Sequence, residues 1–305
     1  MKRRIEKGRF MKQNKKQIAT AFAILAAALY AINVPLSKLL LEHVGTTMMA
    51  AFLYLGAGLG LLCYGLAQKA LGKRERQERL TKKELPYTIG MVVLDILAPI
   101  FLMLGIARTN SANVSLLNNF EIVATSLIAL LIFKEKISKL LWTAISLVVA
   151  ASVILSFEGA GAFVFNEGSL FVLAASICWG MENNCTNKIS HKSAVEIVVI
   201  KGCFSGLGSL IIALILGEQI PELKRMALVL LLGFVAYGLS INFYIRAQNS
   251  LGAAKTSAFY SVAPFLGVAF SMLLLKERPG LQFYLGLAIM AASTVLMVKD
   301  TLKET

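Results

Sequence analysis

Ten apolar runs, each roughly 20 residues long, fill this chain and leave no polar stretch large enough for a soluble domain. At about 1.5 Å per residue such a run, wound as a helix, crosses ~30 Å of bilayer hydrocarbon. In lipid, helices and closed barrels are the spanning structures that leave no backbone polar group stranded. The runs cover 17–42, 45–69, 86–107, 112–133 and 139–157 (spans one to five), then 167–188, 195–217, 225–246, 252–275 and 280–299 (spans six to ten). The longest polar piece between them, 70–85, is rich in Lys, Arg and Glu and reads as a surface loop. Only 16% of residues are charged and 57% are hydrophobic, whereas soluble domains carry roughly a quarter charged residues. The expected fold class is an all-α integral membrane protein of ten transmembrane helices.

The ends of spans four and nine nearly repeat each other: Leu131-Ile132-Phe133-Lys134-Glu135-Lys136 and Leu273-Leu274-Leu275-Lys276-Glu277-Arg278. The chain therefore reads as two related halves. With five spans in each, an odd number, the halves must point in opposite senses, giving two inverted five-helix repeats. The expected divisions are a basic cytoplasmic N-terminal tail (1–16), a first repeat (17–157), an extracytoplasmic linker (158–166), a second repeat (167–300) and a short cytoplasmic tail (301–305).

Basic residues set the expected orientation. With the N-terminus inside, the inner segments hold Lys2, Arg3, Arg4, Lys15, Lys16, Lys73, Arg74, Lys82, Lys134, Lys136, Lys188 and Lys192, among others. The outer segments hold only Lys38, Arg108, Lys224, Arg225, Lys276 and Arg278. That asymmetry follows the positive-inside rule with both termini cytoplasmic. The first apolar run continues to about Leu41, too long for the core of a cleaved signal peptide.

Several function classes fall away. The net charge of +14 is dispersed in short segments between apolar runs, unlike the clustered charge of a nucleic-acid binder. Cys63, Cys178, Cys185 and Cys203 lie inside spans without metal-ligand spacing. His43 and His191 lie in or near loops on opposite faces, and no hydrolase, zinc-protease or P-loop motif appears. Neither an enzyme, a cofactor nor a metal site is expected. Gly56 and Gly60 form a small-residue face suited to close helix packing.

Polar residues inside the spans are more informative, since each costs free energy in hydrocarbon unless it faces protein or water. They fall on helical stripes: Tyr30, Asn33 and Ser37 in span one; Ser111, Ser115, Asn118, Glu121 and Thr125 in span four. Span six has Trp179, Glu182, Asn183 and Thr186, and span eight Tyr237, Ser240, Tyr244 and Gln248. Span nine has Thr256, Ser257, Tyr260 and Ser261. Residues three or four apart share one helix face, so these stripes are suited to line a common cavity. Its expected walls are Tyr30, Asn33, Asn118, Glu121, Trp179, Asn183, Tyr237, Tyr244 and Tyr260; bonding between helices is the alternative, favoured for the Ser and Thr. Asp95 and Glu121 sit near the middle of their spans, where desolvation penalises an unpaired carboxylate's charged form. Both are candidates for proton coupling, or for pairing a cationic group of a substrate. Glu182 and Lys201 lie at matched depth, about 9 Å from the inner ends of their helices, and are candidates for a salt bridge or gate. Pro35, Pro99 and Pro264 each remove a backbone bond within a span and are candidate hinges.

Taken together, these features resemble the drug/metabolite transporter superfamily, specifically its ten-span EamA-type members. Those members close their fourth and ninth spans with a leucine-rich stretch and Gly-Glu-Arg or a relative; here Lys134-Glu135-Lys136 and Lys276-Glu277-Arg278 stand there. Ala107 to Ser115 resembles the approach to span four, repeated in Ala247 to Ser257 with two extra residues. Ala31-Ile32-Asn33 resembles the first-span pattern, and Trp179-Gly180 keeps in span six a pair that Leu29-Tyr30 replaces in span one. The resemblance covers about residues 17–300. It implies a bacterial cytoplasmic-membrane carrier, often an exporter, of amino acids, amines or other small metabolites, with the substrate held between the halves and reached by alternating access. Proton coupling through Glu121 or Asp95 is an extension of that expectation, and an uncoupled facilitator or channel-like permease is the alternative. The expected partners are a small-molecule substrate and membrane lipid, with no nucleic acid, in a monomer or homodimer.

Overall fold

A computed structural model describes residues 2–72, 78–134, 137–158, 164–251, 256 and 259–303. Of the residues singled out above, Lys73, Arg74, Glu135, Lys136 and Ser257 lie outside that set, as do 159–163 of the linker.

Unbroken helices form span two (Thr46–Ala70), span three (Leu85–Arg108), span five (Lys139–Ser156), span six (Glu167–Ile189), span seven (Ala194–Ile215) and span ten (Leu281–Lys303). Eight of the described helical segments are long and apolar enough to cross a membrane. Span six has the length but carries Glu182, Asn183, Asn184 and Thr186, which dilute its apolar character. Span nine is represented by Ala263–Leu275 and a few helical residues before it. The helix of span one begins at Lys2, so the expected N-terminal tail continues that helix. A two-stranded ribbon, Phe157–Glu158 with Val164–Phe165, flanks the linker between the halves.

Three spans are interrupted near mid-depth. Span one breaks at Ile32, between Lys2–Ala31 and Asn33–Leu40. Span four breaks at Asn118 and Asn119, between Ser111–Leu117 and Phe120–Phe133. Span nine turns at Ser261 and Val262 before Ala263–Leu275. Pro35 and Pro264 explain two of these, because neither has an N–H for the carbonyl four residues back. Span four breaks without proline: Asn side chains compete with the helix for backbone bonds. Pro99 stays inside a continuous helix. Span eight carries a wider π-type turn, Gly233–Leu239, between Leu223–Leu232 and Ser240–Leu251.

The halves interlock. Span two packs on seven, four on nine and five on ten, pairing equivalent helices; spans one and eight form a pair equivalent to six and three. This is the pattern of an approximate two-fold axis relating inverted repeats. Spans two and seven touch backbone to backbone, and a Cβ on Gly58 would fall within 3 Å of Cys203 N and the Gly202 carbonyl carbon. Small residues permit such close approach where lipid offers no hydrophobic drive for association. The repeated motif also has matching geometry: Lys134 and Lys276 end their helices in the left-handed conformation, at φ 55° and 54°.

Candidate functional site

Call the end of the bundle that carries both chain termini the near end and the opposite one the far end. Midway between them the halves line a cavity of about 50 Å³, room for a few waters. Span one contributes Tyr30, span two Tyr54 and span four Glu121. Span six brings Trp179, Glu182, Asn183 and Thr186, and span seven Lys201. Span eight brings Tyr237, Ser240 and Tyr244, and span nine Tyr260.

The helix interruptions position these groups. Tyr30 lies just before the break in span one, and Tyr260 just before that in span nine. Glu121 lies in the first turn after the break in span four, where the helix dipole favours negative charge. Tyr237 belongs to the π-type turn of span eight.

Two polar systems meet in the wall. In the first, the Lys201 ammonium lies 3.0 Å from Asp95 Oδ2 and 2.9 Å from Glu182 Oε1. Tyr54 donates its hydroxyl to Asp95 Oδ1 (2.8 Å), Trp179 Nε1 donates to the Tyr54 oxygen (3.3 Å), and Thr186 donates to Glu182. All three charged groups are nearly sealed from solvent, at 0% exposure for Asp95, 2% for Glu182 and 4% for Lys201. Removing one member of such a set strands an uncompensated buried charge, which costs about 3–5 kcal/mol. Asp95 is thus no isolated carboxylate, as its position in the sequence suggested, but the partner of Lys201.

In the second system Glu121 accepts from Asn183 Nδ2 at 2.6 Å, and the same amide lies 3.5 Å from Thr125 Oγ1. No cation lies within ion-pair distance of Glu121 among the described residues. Six rings complete the wall. Tyr30 stands among Trp179, Tyr237 and Tyr260, with centroids 6.4, 5.7 and 5.8 Å away, and Tyr244 meets Tyr260 edge-on at 5.0 Å.

Of the nine residues expected in the cavity wall, seven line it; Asn33 and Asn118 do not. Asn33 lies one layer behind, donating to the Tyr237 hydroxyl at 3.1 Å and accepting from Ser37. Asn118 occupies the break in span four, toward the far end. Tyr54 is in the wall although nothing in the sequence singled it out; it is a lone phenol in a run of Leu, Ala and Gly. Pro35 and Pro264 adjoin helix breaks bordering the cavity, while Pro99 is buried within the helix of Asp95.

Beyond the cavity the far end is tied shut. Glu277 accepts from Ser111 N and Ala112 N at 2.9 Å each, and Glu218 accepts from Thr47 N (3.0 Å) and Met48 N (2.7 Å). Both are carboxylates of the second half bonded to helix N-termini of the first. Lys38 donates to the carbonyls of Ile106 and Thr109. Glu277 belongs to the repeated motif at the end of span nine, and its carboxylate caps a helix across the halves. Between this closure and the cavity, Ser111 Oγ, Ser115 Oγ, Asn118 Oδ1 and both polar atoms of the Asn119 side chain are buried without a hydrogen-bond partner among the described residues. Such orphaned groups are uncommon and call for an explanation.

The model of the EamA-like transporter family matches residues 17–157 and 166–299. An uncharacterized transporter of Methanothermobacter thermautotrophicus is 26% identical over 271 residues, covering 83% of this chain and 78% of its own length. A solved crystal structure superposes with a TM-score of 0.69 at 16% identity, across 93% of this chain and 96% of its own, a likeness of fold.

Proposed function

Since the chain belongs to the EamA-like transporter family, a multi-pass membrane transporter of small molecules, we propose that it exports a small metabolite by alternating access. The metabolite is an amino acid, an amine or a related compound. The membrane is the bacterial cytoplasmic membrane, with both termini and hence the near end in the cytoplasm. The carrying observation is the polar cavity at mid-bundle, whose walls come from both halves and whose borders are helix breaks. A solute larger than a few waters enters only if the rings part and helix segments pivot, and the breaks beside Pro35 and Pro264 supply the pivots. The unpartnered Ser115, Asn118 and Asn119 then have a role: they are the wall of the far-end path, dry while the far end is tied and hydrated when it opens.

Proton coupling falls to Glu121 in the first place. Around it stand Tyr30, Tyr260, Asn183, Glu182 and Lys201, and neutralising it strands no partner ion. Asp95 is committed to Lys201, so a proton there releases half of that ammonium's pairing and would act as a conformational trigger. The test is counterflow and pH-driven uptake in liposomes: Glu121→Gln and Asp95→Asn should each abolish uptake driven by a pH gradient. Undiminished pH-driven uptake in both variants rules out coupling through these carboxylates. Absence of saturable counterflow for any solute rules out the carrier itself.

A further inference from the structure

The cavity wall holds two carboxylates, Glu121 and Glu182, and one ammonium, Lys201, which is also bonded to a third carboxylate, Asp95, buried behind the wall. Lys201 spends its charge on Asp95 and Glu182. Glu121 is held only by the neutral amide of Asn183, leaving one carboxylate in the wall whose charge no protein cation answers within ion-pair distance among the described residues.

Rings surround it. The Tyr54 and Tyr237 hydroxyls are tied into the wall by Asp95 and Asn33, so what these residues can offer a solute is aromatic surface. Tyr30, Trp179, Tyr244 and Tyr260 cluster at centroid separations of 5.0 to 6.4 Å. An organic ammonium is attracted to ring faces, most strongly when desolvated. An anion gains nothing comparable and would approach Lys201 only against the two carboxylates already bonded to it. An uncharged solute leaves Glu121 unanswered.

We propose that the solute of this site is a small organic monocation, a protonated amine or a quaternary ammonium, with its charge toward Glu121 and its carbon among the rings of Tyr30, Trp179, Tyr244 and Tyr260. The proposal rests on the central cavity being the transport site, and it selects one class from those the carrier reading leaves open.

Trp179 can report on it. The chain has two tryptophans; Trp142 is on the outer surface, 43% exposed, so Trp142→Phe leaves Trp179 as the sole emitter. In nanodiscs of phosphatidylethanolamine and phosphatidylglycerol, with empty discs as control, the emission is followed against choline, its uncharged carbon isostere 3,3-dimethylbutan-1-ol, and glycine betaine. Choline should saturate the signal at a concentration at least tenfold below that of the isostere or of betaine. Glu121→Gln should erase that preference while leaving the response to the isostere, which also shows that the variant is folded; Glu121→Asp should keep it. Equal binding of choline and its isostere, no response to choline, or a preference that survives Glu121→Gln would each overturn the proposal. Counterflow separates this from the carrier reading: saturable exchange of betaine or the alcohol without choline removes the cation assignment alone, whereas no saturable exchange of any solute removes the carrier.

Discussion

The two ends of the bundle are closed by different chemistry. At the far end, Glu277 and Glu218 are half-buried and each carboxylate bridges two backbone N–H groups at a helix N-terminus. Charge-assisted bonds to helix N-termini are strong, and partial burial shields them from salt. At the near end, Lys192 reaches Glu78 at 2.9 Å and Glu84 at 3.6 Å, Glu78 being 76% exposed, and Leu80 N reaches Glu196 at a long 3.3 Å. Lys192 and Glu84 are only 9% and 14% exposed, so it is the solvated Glu78 arm of this cluster that contributes little and is screened. Among the described residues, the far end is held by four bonds to helix N-termini, the near end by one ion-pair cluster and one long bond.

The largest effect should come from undoing a latch. Glu277→Ala removes both acceptors of Ser111 N and Ala112 N, a loss of about 3 kcal/mol or more at ~1.5–3 kcal/mol per charged bond. In a chain cleared of its own cysteines, labelling of Ser115→Cys by an impermeant thiol reagent from the far side should rise on the order of a hundredfold. A rise under twofold would mean that Glu277 does not hold that end. By contrast, Glu78→Gln should alter near-side labelling of Thr186→Cys by less than about threefold, because Glu78 is solvated and Glu84 still faces Lys192.

Acid sharpens the comparison. The hydrogen bond and charge of Lys192 hold the Glu78 carboxyl below its ordinary range, so the pair's contribution is present above that range and is lost only as pH falls through the lowered value. The hydrogen bond and charge of Glu78 raise Lys192, so on that side the contribution is lost only above the usual lysine range. Near-side labelling, once corrected for the thiolate fraction of the reporter cysteine, should therefore stay flat from about pH 8 to pH 5. A change of flux with pH inside that window would then originate in the cavity and not in the near-end pair.

The smallest effects concern Lys134 and Lys276. The left-handed conformation costs an L-residue about 1–2 kcal/mol, partly offset by glycine's larger entropy loss on folding. Lys134→Gly and Lys276→Gly should each raise the melting temperature slightly, and by similar amounts if near and far copies of the motif are equivalent. A fall at either position would show that the lysine contributes something its backbone geometry does not reveal.

What could be read from residues alone follows from how strongly lipid constrains a helix. Apolar run length reports spanning directly, and an odd number of spans per half forces inversion, so the architecture was legible. The stripes containing Tyr237, Tyr244 and Asn183 were legible because polar groups in hydrocarbon are expensive enough to be placed deliberately. The matched depths of Glu182 and Lys201 suggested their contact, yet Asp95, which bonds the same ammonium, gave no sign of it, because depth within one helix says nothing about which neighbour faces it. Tyr54 escaped notice for lack of a polar stripe around it. The roles of Glu218 and Glu277 escaped because a loop carboxylate's partner is set by tertiary packing. The break at Asn118-Asn119 carries no proline to announce it.

The central claim is that one cavity between inverted halves faces each end in turn. The direct measurement is thiol labelling of Ser115→Cys and Thr186→Cys in the cysteine-free chain, each with and without Glu277→Ala. The account predicts reciprocity: releasing the latch speeds labelling at position 115 and slows it at 186. Labelling that rises at both positions together would describe an open pore, and that result would contradict it.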